Sequence, residues 1–297
     1  MHGLAGRFIE SQHPFVTKSI SKLDLLKFGC EASRRSYASN QESFSAVKVT
    51  IITVVYNGAQ TIANALQSVA TQTYPNIEHI VIDGGSSDGT VEILDKYRAG
   101  LAKVISEPDN GIYDAMNKGL RCATGEIIGL LNADDRYEHP RVVEKIVEHL
   151  RTSDVDAVFG DAVFVDPRRS DAIVRRYSSR YFRPARIPWG WMPAHPTLFL
   201  KRDVYDKHGY FKTDFKIAGD FEFVARVFWR TGIRYTYLPE VFVRMNIGGI
   251  SGSGWAGTML LNREVLRACR ANGIRTNMLK ISSKYFLKMF EFVRPKA

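Results

Sequence analysis

The sequence predicts an α/β fold: a Rossmann-like, mostly parallel central sheet flanked by helices, with a smaller mixed region behind it. Two observations carry this. Between Val49 and Asp135, short apolar runs closed by polar turns alternate with segments of helical apolar spacing. Strands alternating with helices imply βαβ units and right-handed crossovers. Beyond about residue 150 the alternation loosens into paired strands and loops, and nothing repeats at a solenoid period.

Each element has its own signal. Val49 to Tyr56 is an apolar, β-branched strand closed by Asn57-Gly58. Ile62, Ala65, Leu66, Val69 and Ala70 follow helical spacing. Ile77 to Ile82 is a second buried strand, running into the turn Asp83 to Thr90. A helix from Val91 to Tyr97 and a strand from Lys103 to Ser106 follow. Ile112, Ala115, Met116, Gly119, Leu120 and Ala123 then mark one face of a helix that leads into the strand Ile127 to Leu131.

The second part reads more loosely. Ala157 to Val165 and Ile173 to Tyr177 suggest a strand pair around Asp166-Pro167, and Pro184 to Pro196 is a Trp- and Pro-rich loop. A strand and a helix ending near Gly209 come next. Val224, Ala225, Phe228 and Trp229 line a helix stopped by Gly232. Strands at Arg234 to Leu238 and Val241 to Met245 precede a glycine-rich loop, Gly248 to Gly254, and a long helix from Ala256 to Ala271. The expected organisation is an extension over residues 1–46, a main domain over 47–255 with halves 47–135 and 136–255, and a C-terminal helical region over 256–297.

Composition narrows the partners. At 297 residues and 45% hydrophobic content the chain can bury a full core without a staple. Cys30, Cys122 and Cys269 lie far apart in no ligand-like spacing, which argues against a zinc site or disulfide framework and fits a reducing compartment. No stretch approaches the apolar length of a transmembrane helix. Leu4 and Ala5 are soon followed by Arg7, Glu10 and His13, so no signal-peptide core is evident and a cytoplasmic location is expected. A formal charge of +10 points to an anionic partner. Without a zinc finger, RRM signature or basic repeat, nucleic acid is not expected.

Polar residues sit at three successive strand ends: Tyr56-Asn57, Asp83 and Asp134-Asp135. In a parallel sheet such ends converge on one edge, where ligands bind. Two adjacent carboxylates there invite a hard divalent cation, although Asp is equally at home in a turn or helix cap. Asp83, followed by Gly84, Gly85 and Ser86, leaves room for a flat ligand against the backbone; the alternative is a βα turn with Ser87 or Asp88 capping the next helix. Gly-x-Gly-x-x-Gly and Walker A patterns are absent after the first strand, which disfavours NAD(P) and ATP-motor readings.

Four motifs in order carry a resemblance. They are Val54-Val55-Tyr56-Asn57, the run Ile82 to Thr90, the run Asp109-Asn110-Gly111 through Lys118-Gly119, and Asn132-Ala133-Asp134-Asp135. Over about residues 48–253 the chain resembles the family 2 glycosyltransferases with the GT-A fold, of the bacterial exopolysaccharide or lipopolysaccharide type. The resemblance implies that Tyr56, Asn57 and Asp83 serve the nucleotide, and that Asn110, Gly111 and Lys118 lie beside its pocket. It implies that Asp134 matches the second acid of the family's Asp-x-Asp metal motif, holding Mn²⁺ or Mg²⁺. Asn132 stands at that motif's first position, and Asp135 is an alternative contact.

Asp220, in Gly219-Asp220-Phe221-Glu222, resembles the family's catalytic base, with Glu222 as the nearer alternative. Both also suit simple capping of a helix N-terminus. His195, in Ala194-His195-Pro196-Thr197, resembles a recurring segment near the acceptor side, and a packed structural histidine suits it equally. Trp189 and Trp191 could stack on a sugar face or simply fill a rim. Arg244, with the loop from Gly248, resembles a mobile segment closing over the diphosphate; the alternative is a strand-end turn.

The tail from Leu279 to Lys296 is basic and amphipathic, suiting either a membrane interface or a docking surface. The implied activity is inverting transfer from a nucleotide-diphospho-sugar to a glycan or lipid-linked acceptor in cell-surface polysaccharide synthesis. The competing readings are a catalytically silent binding subunit and a sugar nucleotidyltransferase. The latter lacks the glycine- and arginine-rich loop expected after the first strand, where Asn57-Gly58-Ala59 stands.

Overall fold

A computed structural model of the chain describes residues 47–169, 171–248 and 254–293. The extension over 1–46, most of the glycine-rich loop at 249–253 and the last residues, 294–297, lie outside the described residues. β1 (Val49–Val55), β2 (Ile77–Asp83), β3 (Lys103–Ser106) and β4 (Ile127–Leu130) pair in parallel in the spatial order β3-β2-β1-β4. Between them run α1 (Ile62–Ala70), α2 (Thr90–Tyr97) and α3 (Ile112–Cys122).

All seven residues of β1 are buried, as expected of a strand covered on both faces. Alternation along the strand divides the load. Ile52 and Val54 face a core shared with Ile80, Ile82, Met116 and Leu120, whereas Val55 packs with Ile62, Leu66, Val81 and Leu94. Helix α3 therefore closes one face, and α1 with α2 the other.

The sheet continues through β8 (Phe199–Lys201), β6 (Ala157–Asp166), β9 (Tyr235–Asn246) and β5 (Asp135–Tyr137), with β7 (Ala172–Tyr177) paired beside β6. β8 runs antiparallel to both β4 and β6, so the sheet is mixed at this junction, although its longest ladders, β1–β2 and β6–β9, are parallel. A Cβ on Gly129 would lie 2.4 Å from the Phe199 ring, so glycine lets β8 close against β4.

Two expectations change. The strands foreseen at 234–238 and 241–245 are one strand, β9, which absorbs Pro239 at a register shift opposite Gly160; a bulge is where a strand tolerates proline. A helix not foreseen, α4 (Val142–Thr152), buries Val142, Val143, Ile146, Val147 and Leu150. The remaining helices are α5 (Arg202–His208), α6 (Gly219–Arg230), α7 (Gly254–Ala271) and α8 (Met278–Val293).

Candidate active site

The strand ends do converge. The Gly84 N–H donates to Val55 O at 2.9 Å and the Ala133 N–H to Val54 O at 3.2 Å, which places the β2 and β4 turns on either side of β1. Asn57, in the left-handed region at φ 49°, ties its turn to the next. Its N–H donates to Ser86 Oγ at 2.7 Å, and its Oδ1 accepts from the Ser87 N–H at 3.0 Å. Asp88 caps this arrangement, accepting from the Ala59 and Thr90 N–H groups.

Asp83 stands at the expected edge but is fully buried. It accepts from the Gly85 and Ser86 N–H groups and from the hydroxyls of Ser86 and Ser106. These bonds hold the carboxylate against its own loop and set that loop's shape, with three of them on Oδ2 and one on Oδ1. The surface on offer belongs to its neighbours. Tyr56 is 68% exposed. A Cβ on Gly84 would lie 2.5 Å from Asp109 Oδ2 and 3.4 Å from the Tyr56 ring. Asp109, not singled out from the sequence, thus sits over Gly84 beside Tyr56; its signal was its place immediately before Asn110-Gly111.

Gly111 takes φ +108°, outside the range of most side chains, to start α3. Its N–H donates to Asp109 Oδ1, and the Asn110 N–H donates to Asp114 Oδ2. Lys118 donates to Pro108 O at 2.9 Å and pairs with Glu107 at 2.8 Å, bracing the same loop.

The acid pair separates into two environments. Asp134 is partly exposed, and burial holds its carboxyl above the ordinary range. Asp135 is buried; desolvation, joined by the neighbouring Asp134 charge, raises it well above that range. Asn132 Nδ2 turns toward Asp135 Oδ2 at 3.4 Å. Asp135, expected as an alternative contact, is thus buried beside Asn132 while Asp134 is the more open of the two. Among the described residues no three His, Cys, Asp or Glu side chains gather as a ligand cluster. The donor set nevertheless fits a hard cation: an accessible carboxylate whose charge is costly as it stands, with coordination left over for phosphate and water.

A cavity of about 580 Å³ is lined by Asp220 and His195 among others. Asp220 is in the first turn of α6. Its Oδ1 accepts from the Phe221 N–H at 2.8 Å and lies 3.3 Å from the Tyr113 hydroxyl, and among the described residues Oδ2 has no hydrogen-bond partner. Gly219 has a reason to be glycine, since a Cβ there would lie 2.7 Å from the Tyr113 ring. The loop before Asp220 is held from another helix: Glu264 of α7 accepts from the N–H groups of Lys216, Ile217 and Ala218, each at 2.9 Å. Burial lowers the His195 imidazole pKa, while the Asp220 charge raises it in part.

Other expected residues lie elsewhere. Glu222 is fully buried, paired with Lys212 at 3.0 Å and Arg226 at 3.1 Å and bonded by Asn272. It is corrected from an alternative base to a buried structural charge, since a sealed carboxylate cannot meet an acceptor. Arg244 forms a two-pronged pair with Glu138, at 2.5 and 2.7 Å. It faces away from Met245, which lines the cavity, because adjacent strand residues point to opposite faces. Trp189 is exposed beside Lys280, whose ammonium lies 5.6 Å from the ring, and Trp191 has the Arg186 guanidinium at 6.0 Å.

The family described as Glycosyl transferase family 2 matches residues 50–209, and the chain belongs to it. An uncharacterized glycosyltransferase of Mycobacterium tuberculosis is 36% identical over 188 residues, covering 61% of this chain and 69% of that protein. A Mycobacterium bovis protein named PGL/p-HBAD biosynthesis glycosyltransferase is 29% identical over 220 residues, covering 70% of this chain and 81% of its own length. Among solved structures, S. aureus TarS 1-349 in complex with UDP-GlcNAc superposes with a TM-score of 0.60 at 21% identity, over 74% of this chain and 66% of that one. The mannosyltransferase PcManGT from Pyrobaculum calidifontis, in complex with GDP-Man and Mn²⁺, gives 0.55 at 23% identity, over 74% and 64%. The chain thus spans just under two thirds of these solved chains. At such identities the likeness shows the fold, which is GT-A. Family membership makes the chain a glycosyl-transferring enzyme.

Proposed function

We propose that the chain is an inverting glycosyltransferase that moves a sugar from a nucleotide-diphospho-sugar to a glycan or lipid-linked acceptor of the cell surface. The observation that carries this reading is Asp220. It lines the cavity with Oδ2 unbonded among the described residues, while its Oδ1 lies against Tyr113 at the start of α3, beside the proposed donor edge. In this reading residues 47–135 hold the donor and 136–255 carry the acceptor and base, with 256–297 closing the cavity. Tyr56, Asp109 and the Gly84–Gly85 backbone offer the surface for base and ribose, and Asn57, Asp83, Asn110 and Lys118 shape it.

Asp134 would hold Mn²⁺ or Mg²⁺, with Asn132 and Asp135 behind it. When bound, the cation offsets negative charge developing on the leaving nucleoside diphosphate. Asp220 takes the proton of the acceptor hydroxyl as that oxygen bonds to the anomeric carbon, and the bond from that carbon to the diphosphate oxygen breaks on the opposite face. Configuration inverts in a single displacement. His195, pushed toward its neutral form by burial, lies within electrostatic reach of Asp220 and can orient the acceptor.

Among the described residues no helix is long and apolar enough to cross a membrane. A basic chain with exposed Trp189, Trp255 and Leu279 supports peripheral contact at the inner face of the cell membrane.

The test is a panel of nucleotide sugars incubated with the protein, with and without Mn²⁺, while nucleoside diphosphate release is followed. Cation-dependent release from at least one donor, lost in Asp220→Asn, is expected. Tight binding of UDP or GDP with no turnover of any donor would favour the silent-subunit reading.

A further inference from the structure

The positive charge of the chain is gathered in two stretches. Residues 172–202 and 265–290 contain 13 of the 41 Lys and Arg and none of the 31 acids. The rest of the chain, with 28 cations against 31 acids, is slightly acidic. Part of the charge is met from elsewhere: Arg176 pairs with Asp161 at 2.8 Å, and Arg267 with Asp214 at 3.2 Å. Arg180, Arg183, Arg275 and Lys280 are exposed.

The fold brings the two stretches together. The Thr276 hydroxyl donates to the Pro188 carbonyl, and the Lys280 ammonium lies 5.6 Å from the Trp189 ring. Within the first stretch, the Arg180 and Arg186 guanidinium groups lie 5.8 and 5.6 Å from the Tyr181 ring. Tyr181, Trp189, Met278 and Leu279 are all exposed among these cations. The same stretches supply Gly190, Met192 and Tyr285 to the wall of the cavity beside Asp220.

A single phosphate is held by cations that converge on it. These cations are instead spread along a surface, which suits an extended array of negative charge. The aromatic and aliphatic side chains between them suit the boundary between headgroups and acyl chains. A nucleic-acid backbone would meet the cations but offer Met278 and Leu279 nothing apolar. Resting on the reading of a lipid-linked acceptor, we propose that this surface docks the protein on a membrane rich in anionic headgroups. The guanidinium and ammonium groups meet lipid phosphates, and Tyr181, Trp189 and Leu279 enter the interface. The cavity, built in part from the same stretches, is thereby held against the bilayer that carries the acceptor.

The experiment sediments the full chain with phosphatidylcholine vesicles, with and without phosphatidylglycerol. Each cation near an anionic bilayer is worth about fivefold in affinity, so the triple variant Arg180→Gln, Arg183→Gln, Arg275→Gln should bind phosphatidylglycerol vesicles about a hundredfold more weakly. Lys96, Arg98 and Arg121 are also exposed but lie outside both stretches. Removing the same charge there, in Lys96→Gln, Arg98→Gln, Arg121→Gln, should weaken binding by less than about threefold. Thermal unfolding and UDP affinity should match the parent in both variants. Equal losses in the two variants, or binding indifferent to phosphatidylglycerol, overturns the proposal. Binding of an oligothymidylate without binding of either vesicle assigns the surface to nucleic acid and also overturns it. UDP titration runs independently: a protein that binds anionic vesicles but not UDP loses the donor reading while the docking surface stands.

Discussion

Tyr113 and Asp220 meet although 107 positions apart: the phenol oxygen lies 2.6 Å from the Ile217 carbonyl and 3.3 Å from Asp220 Oδ1. Burial, reinforced by the Asp220 charge, drives the phenol pKa far above its ordinary value, so the hydroxyl stays protonated; its one proton lies toward the nearer Ile217 carbonyl, with Asp220 Oδ1 alongside. In the proposed reading Asp220 Oδ2 meets the acceptor. Asp220→Asn is expected to lower turnover by about 10²–10⁴-fold, the usual range for a positioned base, with UDP affinity unchanged by calorimetry. Tyr113→Phe removes one hydrogen bond worth about 1 kcal/mol and should cost about fivefold in turnover.

Glu222, two positions further on, behaves differently. It is sealed between Lys212 and Arg226. Glu222→Gln leaves those cations without their counter-charge and should destabilise by about 3 kcal/mol or more, in the range for breaking a buried pair. Urea unfolding measures the loss, while activity per folded molecule stays near that of the parent. A selective loss of turnover at full stability would return Glu222 to the chemistry.

Asp134 gives a test in which stability and cation binding move oppositely. Burial holds its carboxyl above the ordinary range, so its ionised form is destabilising in the cation-free protein near neutral pH. Asp134→Asn should therefore leave the metal-free protein at least as stable as the parent. In UDP with Mn²⁺ the parent should gain apparent stability that the variant lacks. Thermal unfolding under the four conditions reads both effects.

His79 sets an acid limit. Its ring is buried in the β1–β2 sheet against Thr53 Oγ1 at 3.0 Å, and desolvation lowers its pKa from 6.5 to about 4. The unfolded chain binds the proton more readily, so this contribution is intact above about pH 6.5 and is lost as pH falls toward about 4, reaching about 3 kcal/mol. His79→Gln should show a flatter loss of stability between neutral pH and the acid end of that window, read by urea midpoints. An identical slope in both proteins would remove His79 from the account.

The region over residues 47–135 was legible in the sequence because its central strands are covered on both faces and its turns carry strict demands. Val49–Val55 is a fully buried, β-branched run and Ile127–Leu130 a fully buried one, and Asn57 and Gly111 occupy backbone regions that few residues adopt. What was hidden depended on pairing between distant segments. Nothing local announces that Pro239 lies inside a strand, that Ser106 donates to Asp83, or that Glu222 and Asp220 face different environments. A carboxylate's type and spacing are written locally; whether it is open to a ligand depends on neighbours far away in the chain.

The exposed aromatics offer a separate check on location. Trp255 is 88% exposed and Leu279 83%, with Trp189 and Lys280 in contact nearby in the sequence of α8 and its partner loop. Sedimentation with phosphatidylglycerol–phosphatidylcholine vesicles should exceed that with phosphatidylcholine alone and decline with salt. Trp255→Ser and Leu279→Ser should weaken it. Sedimentation indifferent to anionic lipid would leave the protein off the membrane.

Glu264 lies 48 positions beyond Lys216, the first residue whose N–H it holds. Asp220 is thus positioned by Tyr113, made long before it, and by an anchor made long after. On a ribosome the nascent chain carries every element of the parallel sheet before it has the means to hold the loop that leads to Asp220. On the reading of Asp220 as the base, competence then waits for α7 to leave the exit tunnel and does not follow from the folding of residues 47–135 alone.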